Sequence, residues 1–530
     1  MKKMQNFLKK NVFEVFISTV FIFWYLLILP HIPVFDGDTF YYLNKAVRML
    51  ASGDWLNTSS MMAKPVLGLW FCALSLVVYG RDLFGIYFWH VAFSAGTLLV
   101  VYRFLHELVS RRAAQIASIV LLTSLMFFYQ TASPMLDIPM VFFLVLSISF
   151  LYHFILTKQR TYLLATAFFC GLNFLTKGLE GALIPGAVFF LYMIAQRQNP
   201  LKEYKHFIPH VFAAGVVFSI VISIWLIPQF MTHGQAFGQL LYRENIERFF
   251  HPIDETGGYR QVSSKVQVDP HLNIIYLMLA FLPWSALMVP AILTAYKQKY
   301  FGQKKIMQLL LAWFYFVLFV TTFSGHYKGP RYLLPLLPAL AMMMGIYLDS
   351  LFKKDFKLYI KTASRTFLGI GIFLIVLCVA VLTATYTHGE EQYIPLVLPV
   401  LFLLAGSMFA GYYFWKRSRY AAAFSSVVVV TIVAYTLFLT SAATLVPRLI
   451  PEYRIAKYLK ATTTPKTTIT VYKNKIASLD YYLGRKVEHI DDETVLRNTT
   501  GVIVLSQAEK IDLDVQALLF AHGGQLVIIR

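Results

Sequence analysis

Apolar runs of about 20 residues, long enough to cross a bilayer as a helix, dominate this chain. They fall near 13–30, 84–106, 113–130, 136–156, 161–176, 179–196, 207–229, 271–296, 306–323, 332–351, 364–386, 391–415 and 420–446. Two of them, 161–176 and 179–196, are short for a crossing. Another run, "KPVLGLWFCALSLVVYG" (64–80), reads as a juxtamembrane or re-entrant segment. After 446 the pattern changes. "TTITVY", "GVIVLS" and "QLVIIR" read as buried strands, and "PEYRIAKYLKA", "KIASLDYYLG" and "AEKIDLDVQALLFAHGG" as helices. Strands alternating with helices predict a small α/β unit. The expected architecture is a polytopic α-helical membrane protein with about thirteen transmembrane helices over 1–446 and a C-terminal α/β domain over 447–530.

Composition agrees with this reading: 58% of residues are hydrophobic and 14% charged, against roughly a quarter charged in soluble domains. The net charge of +20 does not point to nucleic acid, because it is concentrated between the apolar runs. Seven short basic blocks, near 2–10, 103–112, 158–160, 197–205, 297–305, 353–365 and 416–419, read as cytoplasmic loops. Placing all seven inside requires an even number of crossings between the N-terminal lysines and Arg111–Arg112, which is why 64–80 is kept out of the count. The basic N-terminus and the apolar run behind it imitate a signal peptide, but no small-residue cleavage site follows, so a retained helix is expected. Cys72, Cys170 and Cys378 lie in apolar runs and read as small buried hydrophobes.

This topology sends the chain's chemistry to one face. The outer side receives 31–83, a turn near 131–135, the link 177–178, the loop 230–270, "SGHYKGPR" (324–331), "THGEEQ" (387–392) and the C-terminal segment. Asp36 and Asp38 flank Gly37 just after the first apolar run. A carboxylate at the wet rim of a cavity can act as a general base toward a hydroxyl or phosphate; the same acids could instead cap the following helix. That helix carries Tyr41, Tyr42, Lys45 and Arg48, which suits an interfacial position. Asp137 opens a membrane helix, where an ionisable group is a functional candidate; there too, capping is the structural alternative. Lys64, Lys177, Arg248, His326, Lys328 and Arg331 collect on the same side, against the positive-inside bias. Cations there can clamp a lipid-linked phosphate or anchor anionic lipid. His31, His233 and His271 are isolated and read as structural or interfacial.

The stretches "DTFYYLNKAVRMLASGDW", "AKPVLGLW", "MLDIPM", "FLTKG", "ENIERF" and "YKGPRYLLPLLPALA" resemble, in order, motifs of the GT-C glycosyltransferases of the protein-mannosyltransferase superfamily. The likeness is greatest to the bacterial branch that includes the lipid A aminoarabinose transferase. The resemblance implies a sugar donor on a polyprenyl phosphate such as undecaprenyl phosphate. It also implies a glycolipid or other envelope acceptor, in the bacterial inner membrane with the site and C-terminal domain periplasmic. It makes Asp38 the catalytic carboxylate and Asp137 the second acid, with Asp36 as the alternative base. Lys64 falls at a lysine of the lipid-phosphate site, and Arg248 at the arginine of the long outer loop; Tyr42 joins the phosphate-binding group. Three positions depart from the branch: Thr39 stands for a glutamate, Ala63 for an acid before Lys-Pro, and Tyr41 for an arginine. Ala63 removes a carboxylate that could hold zinc, so no metal is expected, and no cofactor is required.

Three other readings compete. A lipid-linked glycan transporter would need polar groups near the midplane of several spans, and these spans are nearly free of them. A protein O-glycosyltransferase of the same superfamily would put labelled sugar into protein rather than lipid. A non-catalytic scaffold would leave Asp38 and Asp137 without a role.

Overall fold

A computed structural model describes residues 12–34, 37–62, 64–197, 205–247, 270–297, 304–323, 330–353 and 359–464, and in the C-terminal segment 467–472, 477–485, 487–490, 495, 502–506, 517–522 and 525–529. Each of the thirteen apolar runs is helical, as one helix or as a bent pair. Among the described residues nine helices are long and apolar enough to cross a membrane, and eleven spans result if each bent pair counts as one. The chain is thus a multi-span membrane protein. The remaining two runs are the helices Arg160–Lys177 and Leu179–Ala195. The run at 64–80 forms a helix of 13 residues, Leu67–Tyr79, about 20 Å long and short of the roughly 30 Å hydrocarbon layer.

Hydropathy misread three places. The run at 113–130 is two helices, Arg111–Leu122 and Leu125–Thr131, bent by 64°, and 271–296 is likewise broken, with a 105° bend before Ser285–Tyr296. Backbone groups freed inside a bilayer need partners from protein, and these come from the other break and from Tyr435 on the helix Tyr420–Leu449, while a side-chain bond also joins the two breaks. Leu125 N–H donates to Leu282 O at 2.8 Å, Trp284 Nε1–H to Thr123 Oγ1 at 2.8 Å, and Tyr435 O–H to Thr123 O at 3.1 Å. The third concerns the segment after 229, which continues as helix to Tyr242, interrupted at Gly234 where φ is 53°.

Among the described spans, the helix formed by Pro330–Leu336 and Leu337–Phe352 is the most enclosed, with 94% of its most apolar stretch buried. It packs on Arg111–Leu122. Gly345 permits the approach: a Cβ there would lie 2.4 Å from Ala113 O, the close contact that small residues allow between membrane helices. At one end of this helix Asp349 accepts hydrogen bonds from Arg112, from Ser110 Oγ at 3.0 Å and from Lys353 Nζ at 2.8 Å. Arg331 sits at the other end.

In the C-terminal segment five strands form one sheet in the order β2-β1-β3-β5-β4. These are β1 Ile469–Tyr472, β2 Glu488–Ile490, β3 Val502–Ser506, β4 Ala517–His522 and β5 Gln525–Ile529. β1 pairs parallel with β2 and β3, while β3–β5 and β5–β4 are antiparallel. Helices Pro451–Thr462 and Ala477–Leu483 pack together. "ALLFAH", expected to be helical, is β4; only Gly523 and Gly524 separate it in sequence from β5, a two-residue hairpin signal. The part of the expected helix at 508–516 lies outside the described residues.

Candidate active site

The helix Gly37–Ser52 buries Phe40, Leu43, Ala46 and Met49, a three-residue repeat, and packs against the helices Leu67–Tyr79 and Ala477–Leu483. Its N-terminus abuts the turn before Asp137, where Thr39 Oγ1–H donates to Pro134 O at 3.0 Å. Thr39, a departure from the family pattern, therefore has a structural use: its hydroxyl ties two site segments together. The helix ends at Gly53, whose φ of +71° suits a glycine terminator. Asp54 then accepts N–H bonds from Thr58 at 2.9 Å and Ser59 at 2.6 Å. Burial alone would raise its pKa, but these bonds outweigh it and hold the carboxyl below its ordinary value.

Asp137 opens the helix Asp137–Thr157 and Lys177 closes the helix Arg160–Lys177. The two meet at 2.9 Å, with side chains only 4% and 10% exposed. Glu180 lies 3.5 Å from the same ammonium and is 38% exposed. Between Lys177 and Glu180, Gly178 adopts φ +89°, ψ −153°, a conformation essentially confined to glycine. The Tyr332 ring centre lies 5.3 Å from the Lys177 ammonium and 5.3 Å from the Arg331 guanidinium, within cation–π range of both. Arg331 also reaches Met135 Sδ at 3.5 Å, and His90 Nε2 contacts Met135 O at 2.5 Å.

The C-terminal half of Ile208–Tyr242 and the turn after it close the arrangement. Gln229 Nε2–H donates to Asn57 O at 2.9 Å, and His233 Nε2 meets Thr58 O at 2.9 Å. Asn245 Oδ1 accepts from Leu179 N–H at 3.3 Å. Glu244 lies 3.9 Å from Lys64. Burial and then the Glu244 charge push the Tyr41 phenol above its ordinary pKa. Lys45 donates to Ser60 Oγ at 2.6 Å; burial and then Arg48 lower its pKa.

Residues far apart in sequence thus converge on one end of the bundle: Lys64, Asp137, Lys177 and Arg331 among those expected, beside the helix that carries Asp38 and the half-buried Tyr42. Asp38 occupies the first turn of that helix; its side chain, like Asp36, Arg248, His326 and Lys328, lies outside the described residues. Tyr332, Asn245 and His90 went unnoticed in the sequence. Tyr332 had one available signal, an aromatic directly after Arg331. Among the described residues no three His, Cys, Asp or Glu side chains gather where they could hold a metal ion.

This bundle, with a charged cluster at one end, has a fold of the GT-C type. Residues 63–227 match the family described as dolichyl-phosphate-mannose-protein mannosyltransferase. An uncharacterized protein of Aquifex aeolicus is 25% identical over 370 residues, 68% of each chain. The undecaprenyl phosphate-alpha-4-amino-4-deoxy-L-arabinose arabinosyl transferase of Aeromonas hydrophila is 25% identical over 390 residues, 70% of this chain and 67% of that one. The crystal structure of ArnT from Cupriavidus metallidurans in the apo state superposes with a TM-score of 0.76 at 16% identity, covering 97% of both chains. The same protein bound to undecaprenyl phosphate gives 0.75 at 15% identity over 98% of both.

Proposed function

We propose that this chain transfers a sugar from an undecaprenyl-phosphate donor to a lipid A-like or other envelope glycolipid at the periplasmic face of the inner membrane. The observation that carries this is the convergence of Lys64, Lys177 and Arg331 beside the acid-bearing helix Gly37–Ser52. Relatives whose names specify an undecaprenyl-phosphate sugar donor support it, as does the likeness in fold to a protein crystallised with that lipid phosphate.

In the proposed reaction the acceptor hydroxyl oxygen attacks the anomeric carbon. The bond from that carbon to the phosphate oxygen breaks, and its electron pair leaves with the polyprenyl phosphate. Lys64 and Arg331, with Arg248, His326 and Lys328 from the outer segments, stabilise the charge that grows on the leaving phosphate. Asp38 takes the acceptor's proton, with Asp36 as the alternative. Asp137, held by Lys177 at 2.9 Å, acts as the counter-ion that fixes this lysine rather than as a second base. One displacement inverts the anomeric centre. The test is the product of purified, vesicle-reconstituted protein supplied with undecaprenyl-phosphate aminoarabinose and lipid A: an inverted linkage on lipid A supports the reading, and a retained configuration sinks the single displacement. Sugar found on protein instead would favour the O-glycosyltransferase reading.

A further inference from the structure

The segment bearing Asp36 and Asp38 is fixed on both flanks, and part of that fixing comes from the far end of the chain. On the upstream flank Tyr87 O–H donates to Ile32 O at 3.1 Å, and Tyr482 O–H donates to Val34 O at 2.5 Å. On the downstream flank Thr39 binds Pro134 O. Phe40, buried to 1% exposure, has the Tyr482 and Tyr481 rings at 5.1 Å and 5.7 Å. Tyr482 in turn stands edge-on to Tyr453 at 5.2 Å, on the helix Pro451–Thr462 that directly follows the last apolar helix, Tyr420–Leu449. The helix Ala477–Leu483 is further tied to the 80–82 turn, where Arg81 Nη1–H reaches Asp480 O at 3.5 Å.

We infer that the C-terminal segment is a positioning element for the acid-bearing helix, with Tyr482 as its principal positioning residue. The geometry is specific. The phenol of Tyr482 holds the backbone two residues before Asp36, and its ring packs on the side chain two residues after Asp38. A carboxylate acting as base must be held close to its productive geometry, and a first-turn residue of a helix inherits the register of the chain entering it. The tether removes one soft joint between the first apolar helix and that turn. This inference rests on the proposed role of Asp38.

The test uses full-length protein with Tyr482→Phe, which deletes the hydroxyl and keeps the ring, alongside Asp38→Asn. Amide exchange over 41–46 should quicken about five- to tenfold in Tyr482→Phe, the value of one hydrogen bond lost at a buried carbonyl, while 140–155 exchanges as in wild type. Binding of undecaprenyl phosphate should stay within twofold. Transfer, read as sugar-modified envelope lipid in a deletion strain, should fall at least fivefold. Unchanged exchange over 41–46, or quickened exchange with wild-type transfer, overturns the inference. Loss of lipid-phosphate binding along with transfer marks a general folding role and overturns it too. Wild-type transfer by Asp38→Asn would remove the reading beneath, while the exchange measurement still decides whether the tether holds the helix.

Discussion

Replacing Lys177 with methionine should destabilise the protein more than replacing Asp137 with asparagine. The two charges lie 2.9 Å apart with 10% and 4% of their side chains exposed, so whichever survives remains largely out of water. Removing one partner of a buried ion pair costs about 3–5 kcal/mol, because the other charge stays buried and uncompensated. The cost is not symmetric. Without Asp137, Lys177 keeps Glu180 at 3.5 Å. Without Lys177, Asp137 has no other cation within ion-pair distance among the described residues. Asp137→Asn should therefore cost roughly 1–3 kcal/mol, the loss of a charged hydrogen bond with partial compensation, and Lys177→Met the full 3–5 kcal/mol or so. The double variant Lys177→Met/Asp137→Leu should recover to within about 1 kcal/mol of wild type, since an apolar pair of similar volume carries no desolvation cost. The assay is thermal unfolding of purified protein in one detergent at one scan rate, which ranks variants even where unfolding is irreversible. The reasoning fails if Lys177→Met melts no lower than Asp137→Asn, or if the double variant is no better than Lys177→Met.

Further outcomes follow from the same geometry. Gly178→Ala should lower both melting temperature and transfer, since alanine at φ +89° costs about 1–3 kcal/mol and its Cβ would meet Asn245 Oδ1 at 3.3 Å; a variant with wild-type melting and transfer would contradict this. Gly345→Ala should destabilise by roughly 1–3 kcal/mol, because its Cβ would stand 2.4 Å from Ala113 O, while leaving lipid-phosphate binding intact in the protein that folds; melting and binding of undecaprenyl phosphate check both halves. The Asp54 carboxyl is held below its ordinary value of 3.8 by the 58–59 amides, so its contribution to the turn is present above pH 3.8 and is lost as pH falls through the depressed value. Protection of the Thr58 and Ser59 amides should follow that course in wild type and be reduced at every pH in Asp54→Ala.

The helices were legible because a bilayer demands long apolar runs, and each of those runs is helical. The bends were not: Thr123–Ser124 and Phe281–Trp284 stay buried, so the apolar pattern continues through a break whose backbone is satisfied by a neighbour. In the C-terminal segment, "TTITVY" and "GVIVLS" announced strands through β-branched residues, whereas "ALLFAH" lacks them and its pairing with β5 is a tertiary fact. For the candidate site, sequence order singled out Lys64, Asp137, Lys177 and Arg331 but could not pair Asp137 with Lys177 across 40 positions. Nor could it place Tyr482 against Val34 across 448. The family motif Ser-Gly-Asp-Trp gains a physical reading here: Gly53 ends the helix, Asp54 caps the next turn and Trp55 O accepts from Trp70 Nε1–H at 2.7 Å.

The most direct test of the account is mass spectrometry of envelope lipids and glycans from a deletion strain, complemented with wild type or with Asp38→Asn. The account predicts a defined sugar mass that disappears on deletion, returns with wild type and does not return with Asp38→Asn. Its return with Asp38→Asn would contradict the assignment of the base and move it to Asp36; no sugar lost on deletion would contradict transfer itself.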